Sequence, residues 1–210
     1  MNKHLNDLLR RYPALEACLG DIEQAFKQLH AVFHGGGKLL LCGNGGSCAD
    51  AAHIAGELMK GFMRSRPLPG DLAARLMEAD PELGEAGVRK LQGALPAVVL
   101  TGSDPLATAI ANDIDGELVF AQQVLGLGRE GDALLAISTS GHSRNVCRAV
   151  GVARALGLRT LGLSGGDGGW LTRSCETCIV VPGSTVPEIQ ELHLPVYHCL
   201  CRMLEDAFFA

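Results

Sequence analysis

Leu39-Leu-Leu-Cys-Gly-Asn-Gly-Gly-Ser47 is an unbroken apolar run that passes through a glycine-rich turn straight into a stretch of helical pattern. An apolar run without period-two alternation suits a strand buried on both faces, as in a parallel sheet. The glycines let the backbone approach a ligand closely, and a helix starting there turns its free amides toward an anion. The same order returns at Ala133-Leu-Leu-Ala-Ile137, which runs into Ser138-Thr-Ser-Gly-His-Ser143 and then a helical stretch to Leu156. Working outward, β-type runs are expected over Lys38–Cys42, Ala97–Leu100, Ala133–Ile137, Thr160–Leu163 and Ile179–Val181. Helical stretches are expected over Ser47–Phe62, Asp104–Val124, Ser143–Leu156 and Pro187–Phe209. At the N-terminal end, Leu15, Leu19, Ile22, Phe26, Leu29 and Phe33 keep helical spacing after Pro13, and Gly35-Gly-Gly37 closes that helix. Strand and helix alternate, which predicts an α/β fold: a five-stranded parallel sheet with helices on both faces. The domain spans residues 1–210, with N-terminal helices in 1–35. The segment 64–95, charged and holding Pro67, Pro69 and Pro81, breaks the alternation as an insertion.

The 210 residues are 47% apolar and 20% charged, with a formal net charge of −5, so the chain is long enough to bury a core of its own. No Lys/Arg cluster offers a footprint for nucleic acid. No apolar run approaches the roughly 20 residues of a membrane span, and Met1–Arg11 lacks the apolar region of a secretory signal. A cytoplasmic protein is expected, and its eight cysteines are then reduced thiols. Cys42, Cys147, Cys178 and Cys199 sit among apolar residues as small hydrophobes. Cys175-Glu-Thr-Cys178 has zinc-knuckle spacing but no second pair to complete it. The glycine-rich turn lacks the Gly-Lys-Ser/Thr of a Walker loop and the spacing GxGxxG, so no nucleotide cofactor is expected.

Ser138, Thr139, Ser140 and Ser143 put four hydroxyls at the carboxyl end of a buried strand, where a helix start adds partial positive charge. N-caps and turn serines account for one or two of these; a phosphomonoester, with several acceptor oxygens, accounts for four. Ligands in such sheets gather beyond the strand carboxyl ends, so this loop and Gly43–Ser47 are expected to share one crevice. In the helix that follows Ser47, Asp50, His53 and Glu57 lie three and four residues apart on one polar stripe.

Gly43-Asn-Gly-Gly-Ser47, Asn112-Asp113, Gly131-Asp-Ala-Leu-Leu-Ala-Ile-Ser-Thr-Ser140 and Ile189-Gln-Glu-Leu-His193 occur in this order. Together they resemble the sugar isomerase (SIS) domain family, and most closely its phosphoheptose isomerase branch. The resemblance covers nearly the whole chain except 64–95. It implies a flavodoxin-like sheet, a homotetramer, and interconversion of sedoheptulose 7-phosphate with D-glycero-D-manno-heptose 7-phosphate through an enediol. It places the catalytic glutamate at Glu57 and the catalytic histidine at His198. It places substrate contacts at Asn44, Gly45, Gly46, Ser47, Glu57, Asn112, Asp113, Ser138, Thr139, Ser140, Ser143 and Gln190. It also implies a zinc ion in some members, held by residues matching His53, Glu57, Gln190 and His198. Aldose–ketose isomerisation needs a carboxylate near carbon and a group that serves oxygen, which Glu57 and His198 supply. Because Gln190 and His198 lie about 12 Å apart along a helix, and because that helix is apolar on several sides, active sites shared between subunits are expected, with Glu57 from one chain and His198 from its neighbour. Pro195 inside the last helix, His142 in the serine loop and Pro187 before Gln190 depart from the family pattern. Two other readings fit the same domain: a regulator that senses a sugar phosphate without catalysis, and a lyase of the etherase type.

Overall fold

The computed structural model describes residues 2–100 and 105–209. Five strands, β1 (Leu39–Gly43), β2 (Ala97–Val99), β3 (Ala133–Ile137), β4 (Arg159–Gly165) and β5 (Thr177–Val181), form one parallel sheet in the order β2-β1-β3-β4-β5. That order is the flavodoxin-like one, and its topological switch lies between β1 and β3. Side chains alternate across the sheet. Leu39 and Leu41 face one apolar core and Leu40 and Cys42 the other, and each is fully buried. Strands covered on both sides need no polar alternation, which is why they read as continuous apolar runs.

The first core is closed by α1 (Lys3–Arg11), a 3₁₀ turn at Pro13–Cys18, α2 (Leu19–His34), α3 (Gly46–Met59) and α10 (Val186–Phe209). The helix expected after Pro13 thus begins with a 3₁₀ turn and is preceded by a further helix. The insertion carries α4 (Gly70–Ala79), none of whose residues is buried, and α5 (Gly84–Val88). The second core is closed by α6 (Pro105–Ile110), α7 (Val119–Leu127) and α8 (Arg144–Ala155), and α9 (Leu171–Ser174) adds Leu171.

The single helix expected over Asp104–Val124 is broken. Its first residue lies outside the described residues, and the rest divides into α6, a wide π-type turn at Ala111–Asp115, a 3₁₀ turn at Gly116–Leu118 and α7. Asp115 is the cause: its backbone is extended at φ −168°, and its carboxylate accepts from the Glu117 amide at 2.8 Å as a cap.

The apolar surplus of α10 also has a different explanation from the expected one. Val196, Tyr197, Leu200, Met203 and Leu204 are all buried within the single chain, and of the large apolar residues in Leu192–Phe209 only Leu194 is exposed. The helix lies between α2, α3 and the sheet on one side and α1 on the other. Arg202 and Asp206 tie α1 down through Asp7, Lys3 and His4. The helix runs through Pro195 unbroken, without the amide that would donate to the preceding turn.

Candidate active site

The glycine-rich turn and the hydroxyl loop leave neighbouring parallel strands, with Gly43 paired to Ile137 in register. They therefore leave the sheet side by side. Asn44 and Asn145 exchange a reciprocal pair of amide hydrogen bonds, both at 2.9 Å, across the mouth between them. Gly45 has φ +53°, a conformation that a side chain disfavours, and the turn it makes leads directly into α3. Neither Gly45 before α3 nor Ser143 before α8 caps its helix with a side chain; the Ser47 amide donates to the Asn44 carbonyl and the Val146 amide to Asn145 Oδ1, both at 3.0 Å.

Within the hydroxyl loop, Ser138 Oγ and Ser143 Oγ lie 3.0 Å apart, and Ser140 Oγ accepts from the His142 amide at 3.2 Å. Ser140 therefore serves the turn in part. Buried Ser164 on β4 donates its hydroxyl to the Ser138 carbonyl at 2.7 Å and holds the loop from below. Ser47 is buried at the start of α3, while Asn44, Gly45 and Gly46 are exposed and Thr139 is half-buried. Asn112 and Asp113 stand exposed on the π-type turn and pair with each other, Asn112 Nδ2 donating at 2.8 Å.

Further along α3 the polar stripe meets α10. His53 Nε2 lies 3.2 Å from Glu57 Oε1 and 3.4 Å from His198 Nε2. Tyr197, buried beside His198, places its hydroxyl 3.0 Å from His53 Nδ1 and 3.4 Å from Asp50 Oδ1. The rings of His53, Tyr197 and His198 pack edge to face in all three pairings. Burial, and then the neighbouring His53, hold His198 below the usual histidine range, with Glu57 acting in the opposite direction. A neutral imidazole beside a carboxylate suits transfer of protons in both directions.

Glu57 and His198 thus reach the same histidine within one chain. Within one chain α10 crosses α3 where His198 faces His53, so the two residues meet there without a second subunit. Gln190 is elsewhere: its amide rests over Gly46, where a Cβ would meet Nε2 at 2.3 Å. Gly46 lies seven residues before His53, about 10 Å along the helix. The four residues matching the zinc ligands are therefore not gathered in one chain, and among the described residues no cluster of three or more His, Cys, Asp or Glu is arranged as a formed metal site.

Beneath the C-terminal turn of α3 lies a contact that sequence reading missed. Arg66, from the start of the insertion, is fully buried and paired with Glu205 at 3.0 Å. It donates to the last carbonyls of α3, Leu58 O at 2.7 Å and Glu57 O at 2.9 Å. Glu205 accepts from the Phe62 and Met63 amides, both at 2.8 Å. Burial raises the pKa of Glu205, but these amides and Arg66 outweigh it and hold the carboxyl below its ordinary value. Asn145 and Tyr197 were missed as well. Asn145 lies just beyond the serine motif, and Tyr197 passes for one more apolar residue of its helix.

The family model of the SIS domain matches residues 3–83 and 73–165. The phosphoheptose isomerase of Nitratiruptor sp. is 43% identical over 171 residues, covering 81% of this chain and 78% of that protein. The solved phosphoheptose isomerase of Neisseria gonorrhoeae superposes with a TM-score of 0.74 at 31% identity, covering 97% of this chain and 95% of that one. The enzyme of Francisella tularensis gives 0.76 at 33% identity, covering 93% and 91%. This chain belongs to the SIS domain family, in its phosphoheptose isomerase branch.

Proposed function

We propose that this protein is an aldose–ketose isomerase that interconverts sedoheptulose 7-phosphate and D-glycero-D-manno-heptose 7-phosphate. One observation carries the reading beyond family membership: a single helix begins at an anion-binding turn and ends at a carboxylate–imidazole cluster. Ser47 and Glu57 are ten residues apart, about 15 Å along α3, comparable with an extended heptose phosphate. The phosphate takes the amides of Gly45 and Gly46 and the hydroxyls of Ser138, Thr139, Ser140 and Ser143. The sugar then lies along α3, past Gln190, toward Glu57. Asn44 stands at the mouth, and Asn112 and Asp113 belong to the same substrate set through the family motif.

Glu57, as carboxylate, removes a proton from C1 of the ketose. The C–H electron pair becomes the C1=C2 bond of the enediol as O2 takes up a proton. O1 then loses its proton, the C1–O1 double bond forms, and C2 is protonated to give the aldose. His198 hands the proton between O1 and O2, a task suited to an imidazole held neutral.

Zinc fits part of this site. The separations of His53 Nε2 from Glu57 Oε1 and from His198 Nε2, 3.2 and 3.4 Å, match the edges of a tetrahedron with metal–ligand bonds of about 2.0–2.1 Å. Glu57 Oε2 is buried with no hydrogen-bond partner. His53, Glu57 and His198 would hold the ion only once Gln190 joins them, by its movement or from a neighbouring subunit, since the three alone form no metal site among the described residues. When bound, zinc would polarise the sugar oxygens. A homotetramer is proposed from the resemblance alone, and the exposed apolar Met59 and Met63 beside the site are the surface a neighbour would cover. The protein is read as cytoplasmic; its eight cysteines are free, and among the described residues no helix is long and apolar enough to cross a membrane.

Incubation with sedoheptulose 7-phosphate in D₂O tests the reading. Aldose bearing solvent deuterium at C2 is expected, and Glu57→Gln should lower kcat by orders of magnitude while phosphate-ester binding persists. Aldose formation at the wild-type rate in Glu57→Gln removes Glu57 from the mechanism.

A further inference from the structure

Buried polar groups that lack partners concentrate around one phenol. Asp50 Oδ2 and His193 Nδ1 are both buried with no hydrogen bond, 3.9 Å apart, too far for one to form between them. His193 is fully buried, and its Nε2 faces the Ser164 carbonyl at 3.3 Å. A carbonyl only accepts, so Nε2 carries a proton, and in a neutral ring Nδ1 then turns a lone pair toward Asp50. His193 in this state is no donor to Asp50. Among the described residues, the remaining donor to the Asp50 side chain is the Tyr197 hydroxyl, at 3.4 Å from Oδ1.

That hydroxyl has a single proton and two neighbours that want it, Asp50 Oδ1 and His53 Nδ1. If it goes to His53, the Asp50 carboxylate keeps no donor, the costlier arrangement for a charged group under cover. If it goes to Asp50, the phenol oxygen accepts from His53 Nδ1–H at 3.0 Å and Asp50 Oδ1 gains its donor. Glu57, whose Oε1 then faces the Nε2 lone pair at 3.2 Å, keeps Lys60 Nζ at 3.8 Å from Oε2 as its cation, whereas among the described residues no cation lies as near Asp50. His53 Nε2 then presents a lone pair to the space between Glu57 and His198, where it accepts from His198 Nε2–H.

We propose that Tyr197 is a positioning residue that holds His53 as its Nδ1–H tautomer, through the ordered chain Asp50–Tyr197–His53, and thereby sets the proton on His198. The consequence for turnover rests on the isomerase reading; the tautomer itself does not. The edge-to-face packing of the three rings fixes their orientation, so the hydroxyl is the determining feature rather than the ring. The same tautomer would leave Nε2 free as a metal ligand, the usual role of an outer partner of a ligating histidine.

Two variants test this: Tyr197→Phe, which keeps the ring and loses the proton, and Asp50→Asn, which removes the carboxylate that claims it. Metal-free protein labelled with ¹⁵N-histidine, treated with chelator, is examined by long-range ¹H–¹⁵N correlation at a pH where the ring is neutral. Wild type is expected to show His53 protonated at Nδ1. Both variants are expected to shift it toward Nε2–H, with Glu57 as the new acceptor. Tyr197→Phe is also expected to lower kcat about 10–100-fold, with KM within about twofold of wild type if the residue acts on the proton and not on binding. Wild-type His53 protonated at Nε2, or an unchanged tautomer in Tyr197→Phe, overturns the proposal whatever the activity. A tautomer that shifts as expected in a protein that does not turn over sedoheptulose 7-phosphate supports the proposal and sinks the isomerase reading alone.

Discussion

Replacing Arg66 by Met should be among the most damaging single changes available outside the site itself. Arg66 and Glu205 have side chains 0% and 1% exposed, with 3.0 Å between Nε and Oε1. Removal of one partner of such a pair leaves the other charge buried and uncompensated, which costs about 3–5 kcal/mol. Two amide donors stay on Glu205 after the change, which places the loss toward the lower end of that range. Against a total stability of about 5–15 kcal/mol this is a large fraction. For a domain of this size it corresponds to a fall in Tm of about 6–20 °C. Urea unfolding followed by circular dichroism measures the loss. Glu205→Gln and the double variant complete a cycle that isolates the coupling of the pair. The functional consequence follows from Glu57 O, which Arg66 holds at 2.9 Å: without that contact the last turn of α3 loosens and kcat should fall even in the folded fraction. A change within about 0.5 kcal/mol of wild type would refute the buried-pair argument. Normal kcat per folded molecule would refute the positioning of Glu57 through its own carbonyl.

Other expectations are simpler. Ser138→Ala and Ser143→Ala should each weaken phosphate-ester binding about 10- to 150-fold, the worth of a hydrogen bond to a charged group, by calorimetry; unchanged affinity in both would return these hydroxyls to a turn role. Asn145→Ala should open the Asn44 pair and raise KM more than it lowers kcat, and a pure kcat effect counts against a binding role for this mouth. Asp206 is held well below its ordinary carboxyl value by the hydrogen bond from Lys3, with His4 and Arg64 adding to it against burial. Its stabilisation is present above the unfolded pKa near 3.8 and is lost as pH falls through the lower folded one. Asp206→Asn should therefore cost stability at pH 7 and lose that deficit in acid, and a deficit independent of pH would exclude linkage.

The sheet was legible because its central strands are covered on both faces. Leu39, Leu40 and Leu41 must all be apolar whichever way they point, so their run marks a parallel strand without any knowledge of partners. The helix over Asp104–Val124 was misread because apolar periodicity continues through a local competition that it does not record: Asp115 caps an amide with its own carboxylate and takes the backbone out of the helix. The apolar richness of α10 marks burial on several sides, and that cover is already supplied within one chain. Periodicity reports that a face is covered, and α1, whose position follows from long-range contacts such as Arg202 to Asp7, is what covers it.

The candidate site shows the same division more sharply. Asp50, His53 and Glu57 were legible as one stripe because helical spacing alone puts them there. What the stripe faces was not, since the meeting of His53 with His198 spans 145 residues and depends on how α10 crosses α3. The crossing also separates residues that share a helix: Gln190 falls over the glycine-rich turn at Gly46, and His198 falls at the carboxylate end. Helix α10 therefore runs along α3 from the proposed phosphate end to the proposed chemical end, and each helix carries a group at both. Rigid pairing of two helices fixes the separation of those ends, and on the proposed reading this separation would select substrate length. A sugar phosphate too short to span it would hold its phosphate at Ser47 and leave its carbonyl short of Glu57. Chain length should accordingly be read in kcat more than in binding, because the phosphate contacts are common to all such substrates.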